Sequence, residues 1–138
     1  MGVHPGSVEE KLDILVVEDD HVYAGFVANT LREAGHSVAI AQTGAAAREQ
    51  ARARPPHAVI LDLMLPDANG YDVARGLREG ILHEDAIIIL LTANLYPERD
   101  LADSVGIDVV LSKPVEAELV LGMVDLVRAR RGRRLRSQ

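Results

Sequence analysis

Five short apolar runs rich in β-branched residues punctuate the chain: LDILVV (12–17), HSVAIA (36–41), HAVIL (57–61), AIIILL (86–91) and IDVVLS (107–112). LDILVV, HAVIL and AIIILL lack inside/outside alternation, the pattern of strands buried on both faces of a parallel sheet covered by helices. Between them the period changes. From 21 to 34, Val22, Phe26, Val27, Thr30 and Leu31 recur at helical spacing, with Gly35 placed to cap the end. Segments 44–54, 71–79, 97–105 and 115–131 also read as helices, Pro97 suiting a first turn and Gly106 a helix end. Five βα units with short connections predict a three-layer α/β fold with right-handed crossovers, too few for an eight-fold barrel.

Composition narrows the picture. At 138 residues, 48% hydrophobic and 26% charged, the chain is sized for one domain that buries its own core. It has no cysteine, which excludes disulfides, Cys-ligated zinc and thiol catalysis. No stretch approaches the roughly 20 apolar residues of a membrane span, and the start carries no signal-peptide pattern, so a cytoplasmic location is expected. The net charge of −6 is unevenly spread: 21 Asp and Glu against nine Lys and Arg leave residues 1–127 at −12, and RARRGRRLRSQ (128–138) carries +6. An acidic body argues against a general nucleic-acid binder. The Arg-rich end is suited to touch phosphates, an acidic partner or anionic lipid, but reads first as a solvated, fraying helix end.

In an open doubly wound sheet, ligands bind beyond the carboxyl ends of the strands. There the chain places Glu18, Asp19 and Asp20 after the first run, Asp62 after the third, Thr92 after the fourth and Lys113 after the fifth. Carboxylates brought within about 4 Å repel by roughly 4 kcal/mol per pair at an effective dielectric near 20, so positive charge must offset them. Lys113 is one source and a hard divalent cation another, since carboxylates, carbonyls and water suit Mg²⁺, with phosphate completing its shell. The set fits phosphoryl chemistry: Asp62 as a carboxylate nucleophile, with Lys113 and the Thr92 hydroxyl stabilising charge on the equatorial oxygens.

Four pieces, ILVVEDD (14–20), LDLMLPDANG (61–70), LLTA (90–93) and SKP (112–114), each at a strand end, make the chain resemble the receiver domain of two-component response regulators. The resemblance implies a flavodoxin-like (βα)5 sheet in the order 2-1-3-4-5, with a receiver domain at 12–127 between an N-terminal tail (1–11) and the Arg-rich tail (128–138). It implies that Asp62 is the phosphoacceptor, taking its group from a sensor histidine kinase or a histidine phosphotransfer protein. Thr92 becomes the switch hydroxyl and Lys113 the cation paired with the phosphoryl group. Mg²⁺ or Mn²⁺ would be held by Glu18, Asp19, Asp62 and the backbone carbonyl of Met64, and Lys113-Pro114 would be cis. Such a protein is a signalling phosphoacceptor rather than an enzyme. With only the Arg-rich tail after the fifth helix, and no DNA-binding output module, output would pass through protein contacts at 109–127, to a downstream target or a second copy.

Some positions depart from the family pattern. Val110 stands three residues before the lysine, where many members carry Tyr or Phe. Met64 and Asn94 flank the route of attacking water and should tune phosphoryl lifetime. Asp20 reads as the N-cap of the first helix. The alternatives are a degenerate, phosphorylation-independent interaction module, a haloacid-dehalogenase-type phosphatase and a flavodoxin. Met64 opposes the phosphatase, which needs a second Asp there, and EDDHVY opposes a flavodoxin's phosphate loop. The histidines (4, 21, 36, 57, 83) show no ligand spacing, and the aromatics Tyr23, Phe26, Tyr71 and Tyr96 are too dispersed for base stacking.

Overall fold

The computed structural model describes residues 10–93 and 98–136, with side chains through 133. The elements alternate without exception: β1 (Asp13–Val17), α1 (His21–Glu33), β2 (Ser37–Ala41), α2 (Gly44–Ala53), β3 (Ala58–Asp62), α3 (Gly70–Arg78), β4 (Ile87–Thr92), α4 (Arg99–Ser104), β5 (Val109–Ser112) and α5 (Ala117–Arg136). All four pairings are parallel, and the order is β2-β1-β3-β4-β5, as the resemblance implied.

Side chains alternate between the two faces of each strand. Leu15, Val17, Val59, Leu61, Ile88 and Leu90 face α2, α3 and α4, where Ala47, Val73, Leu77 and Ala102 close one core. Ile14, Val16, Ile60, Ile89 and Leu91 face α1 and α5, where Val27, Leu31, Val120 and Val124 close the other. This two-sided burial is why β1, β3 and β4 read as unbroken apolar runs.

Helix α1 packs through Ala24, Val27, Ala28 and Leu31, one stripe at i, i+3, i+4 and i+7. Val22, at 84% exposure, and Phe26 lie off it, which corrects the stripe read from the sequence: two alanines supply the close contact. Gly35 ends α1 with φ 100°, letting the His36 amide reach back to the Leu31 carbonyl at 3.2 Å. Gly106 ends α4 with φ 83°. Pro97, and with it the expected start of α4, lies outside the described residues.

Helix α5 runs to Arg136, five residues beyond the expected helix. Arg130 pairs with Asp108 at 2.9 Å and Arg131 with Glu10 at 2.7 Å, so these two guanidinium groups are tied to the body. Asp108 also receives Arg78 at 2.6 Å and the Ile88 amide at 2.8 Å, joining α3, α5 and the start of β4 at the amino edge of the sheet.

Candidate functional site

The strand ends gather what the sequence placed there. Asp62 is the last residue of β3, paired in register with Leu91, and Thr92 is the last of β4, opposite Ser112. Both therefore lie inside their strands, one position short of where the apolar runs suggested, because the ladder continues past the apolar residues. The Glu18 amide extends the ladder to the Ala41 carbonyl (2.9 Å), and the Lys113 amide extends it to the Thr92 carbonyl (2.9 Å). Strand alternation then assigns Glu18, Asp62 and Lys113 to the α1/α5 side, and Thr92 to the other.

Glu18, Asp19 and Asp62 each offer a carboxylate oxygen, all within 4.8 Å of one another. Glu18 is buried and Asp19 exposed. The Lys113 ammonium donates to Glu18 and stands 3.4 Å from Asp62 Oδ1. Burial pushes the Glu18 carboxyl up from its ordinary value; hydrogen bonds from Lys113 and the Asp20 amide oppose this, and the Asp62 charge adds to it. For Lys113, burial acts downward, but the hydrogen bond to Glu18 and the charges of Asp62 and Glu18 outweigh it and leave the ammonium above its usual range.

The surrounding loops explain how the edge is held. Asp20 caps α1, accepting from the Val22 and Tyr23 amides at 2.9 and 3.1 Å. Asn69 caps α3 by accepting from the Asp72 amide at 3.0 Å. Gly70 packs so tightly under the Asp62 strand that a Cβ there would sit 2.8 Å from the Asp62 carbonyl oxygen. The Lys113-Pro114 bond is cis. Met64 lies two residues beyond Asp62 with its side chain 77% exposed, and Val110 is half-buried against the core on the α2–α4 face. Asn94 lies outside the described residues.

Two residues escaped the sequence reading. Asp67, within LPDANG, accepts from the Gly44 and Ala45 amides at 2.8 and 3.0 Å, tying the site loop to the start of α2. Tyr23, passed over as a scattered aromatic, lies beneath Lys113, whose Nζ is 4.8 Å from the ring centroid. Its signal was position: three residues past the Asp20 cap, on the first turn of the helix facing the site. His36 and His57 accept the Leu12 and Asp13 amides, structural roles in keeping with their scatter along the chain.

A parallel sheet in this order, with carboxylates and a lysine collected at its carboxyl edge, defines a flavodoxin-like α/β protein whose chemistry sits at that edge. The family model for the response regulator receiver domain matches residues 14–125, and the chain belongs to that family. It is 34% identical over 114 residues to the aerobic respiration control sensor protein ArcB of Escherichia coli, covering 82% of this chain and 15% of ArcB. It is 35% identical over 112 residues to the photosynthetic apparatus regulatory protein RegA of Rhodovulum sulfidophilum, covering 80% and 60%. The chain thus spans between about a seventh and three fifths of these curated relatives. Among solved structures, the chemotaxis response regulator CheY4 of Vibrio cholerae matches with a TM-score of 0.79 at 26% identity, covering 86% of this chain and 99% of that one. A response regulator from Burkholderia pseudomallei, with a phosphorylated aspartic acid, calcium ion and citrate, matches at 0.71 and 30% identity, covering 81% and 65%. Receiver domains are signalling phosphoacceptors of two-component systems that meet histidine kinases or phosphotransfer proteins. No helix among the described residues is long and apolar enough to cross a membrane.

Proposed function

We propose that this chain accepts a phosphoryl group on Asp62 from a phosphohistidine of a sensor kinase or phosphotransfer protein, and that the phosphorylated form changes its protein contacts. The observation that carries the reading is the Lys113 ammonium 3.4 Å from Asp62 Oδ1, beside a cluster of three carboxylates. An Asp62 oxygen attacks phosphorus, the P–N bond breaks, and its electron pair leaves with the imidazole nitrogen. Lys113 neutralises charge on the transferred oxygens, and in this reading the Thr92 hydroxyl turns from the opposite face at the end of the next strand to meet the same group.

The donor set fits a hard divalent cation, because its side-chain oxygens are carboxylate and close enough to share one ion. Glu18, Asp19, Asp62 and the Met64 carbonyl would hold Mg²⁺ or Mn²⁺, which when bound supplies positive charge to the phosphoryl oxygens. The phosphorylated aspartic acid and calcium ion of the Burkholderia pseudomallei relative support both halves of this reading.

For output, the 109–127 region is the contact surface we infer: Leu119 and Leu126 are exposed seven residues apart on α5. A target protein or a second copy would dock there. The test of the whole reading is direct. Purified protein with Mg²⁺ and a small acyl phosphate should gain one phosphoryl mass, and Asp62→Asn should not. An unchanged wild-type mass with Mg²⁺ bound would instead identify a phosphorylation-independent interaction module, and multiple turnover of an unrelated phosphomonoester a phosphatase.

A further inference from the structure

We propose that Tyr23 is a positioning residue for the Lys113 ammonium and so sets the rate at which Asp62 takes up a phosphoryl group; this rests on the reading of Asp62 above. Two contacts carry it. The Tyr23 ring faces Lys113 Nζ, 4.8 Å from the centroid, and the Tyr23 hydroxyl accepts a hydrogen bond from the Val115 amide at 3.0 Å. One side chain therefore holds the lysine at its charged end and holds the backbone two residues past its Cα.

The contacts close a circuit. Lys113 donates to Glu18, the Asp20 amide donates to the same carboxylate at 3.3 Å, the Tyr23 amide donates to Asp20 at 3.1 Å, and the Tyr23 ring returns to Lys113. Without the ring, the ammonium is drawn toward the buried Glu18 carboxylate, to which it already donates. A π face attracts the cation through its quadrupole and is a far weaker acceptor than a carboxylate or phosphoryl oxygen. A ring beneath the ammonium therefore steadies it without competing strongly for the donors that serve Glu18, Asp62 and an incoming phosphoryl oxygen. Packing alone does not call for tyrosine here: the side chain is half-buried at the rim, and its ring neighbour Phe26 lies 6.3 Å away at a tilt of 43°. Leucine would fill the same place without either polar contact.

The experiment compares wild type, Tyr23→Phe, Tyr23→Leu, Lys113→Ala and the Tyr23→Leu/Lys113→Ala double variant. Uptake from acetyl phosphate at saturating Mg²⁺ is followed by intact mass, with Mg²⁺ affinity measured by calorimetry. Tyr23→Leu should lower the maximal rate about 3- to 10-fold, the scale of a partly desolvated cation–π contact. Tyr23→Phe, which keeps the ring and loses the tether, should fall between. Because rates are taken at saturating Mg²⁺, any change in Mg²⁺ affinity through Glu18 is measured separately and does not enter the comparison. In the Lys113→Ala background, Tyr23→Leu should have no further effect. A wild-type rate in Tyr23→Leu, or the same fold-loss with and without Lys113, overturns the proposal. If wild type takes up no phosphoryl group, the reading of Asp62 fails; the Tyr23 contact is then judged by the Lys113 ε-methylene proton resonances, whose upfield ring-current shift must vanish in Tyr23→Leu. Absence of that shift in wild type overturns it.

Discussion

Lys113 serves two carboxylates at once: its ammonium donates to the buried Glu18 and lies 3.4 Å from Asp62. Removing one partner of a buried pair costs more than the pair contributes, because a charge is left behind. Lys113→Ala should therefore lower stability by about 3 kcal/mol in denaturant titrations and slow phosphoryl uptake by about 10²-fold or more. Adding Glu18→Gln should recover most of the stability and none of the uptake. Recovery of both together would mean that Lys113 acts only by holding the fold.

Gly70 should tolerate no side chain. A Cβ there meets the Asp62 carbonyl at 2.8 Å and the Leu63 Cα at 2.9 Å, both backbone atoms that cannot step aside cheaply. Gly70→Ala should destabilise by about 1–3 kcal/mol, the range for overpacking. It should also slow uptake at Asp62 at temperatures where the variant is still fully folded. Thermal melts and intact-mass kinetics on the same sample separate the two effects.

At the opposite edge of the sheet, Asp108 and Arg130 should differ sharply although they share one ion pair. Asp108→Ala orphans the Ile88 amide and leaves Arg78 without its carboxylate, where burial already pulls the guanidinium down. A loss of about 3 kcal/mol follows. Arg130→Ala removes one partly exposed pair and should cost less than about 1 kcal/mol. Neither should alter uptake, and deletion of residues 128–138 should likewise leave uptake intact while lowering the melting temperature.

Asp67 should give the fold an acid-sensitive element. Hydrogen bonds from the Gly44 and Ala45 amides hold its carboxyl below the ordinary value of 3.8. A depressed folded value means stability that is fully present above the unfolded value and lost as pH falls through the folded one. The melting-temperature gap between wild type and Asp67→Ala should thus be constant from pH 7 to about 5 and close progressively below about 4. A gap independent of pH would show that the carboxylate charge plays no part.

The fold was legible because burial on both faces wrote itself into unbroken apolar runs, and four of the five strands begin within one residue of those runs. β5 begins at Val109 rather than at Ile107 because Asp108 turns to cap the Ile88 amide, a contact across 20 residues that no local pattern encodes. The α1 stripe was misphased for a related reason: Ala24 and Ala28 are weak hydrophobic signals but strong packing residues where a helix lies close on a sheet. The end of α5 looked like free charge since its partners, Asp108 and Glu10, are 22 and 121 residues away. Asp62, Thr92, Lys113 and the acidic pair could be placed at the carboxyl edge because each closes a strand; Tyr23 could not, because its place depends on which face of α1 meets the loop after β5.

The strand alternation that sends Glu18, Asp62 and Lys113 to one face also makes the site a matter of counting. Each lies an even number of positions from residues in or against the core such as Ile14, Ile60 and Leu111, so inserting or deleting one residue within β1, β3 or β5 would turn one of these three side chains toward α2–α4 while leaving the composition almost unchanged. Parity, more than residue identity, is therefore what an alignment or a grafted version of this edge has to preserve. A transplant that keeps every charged residue but shifts one strand by a single step would assemble the right chemistry on the wrong side of the sheet.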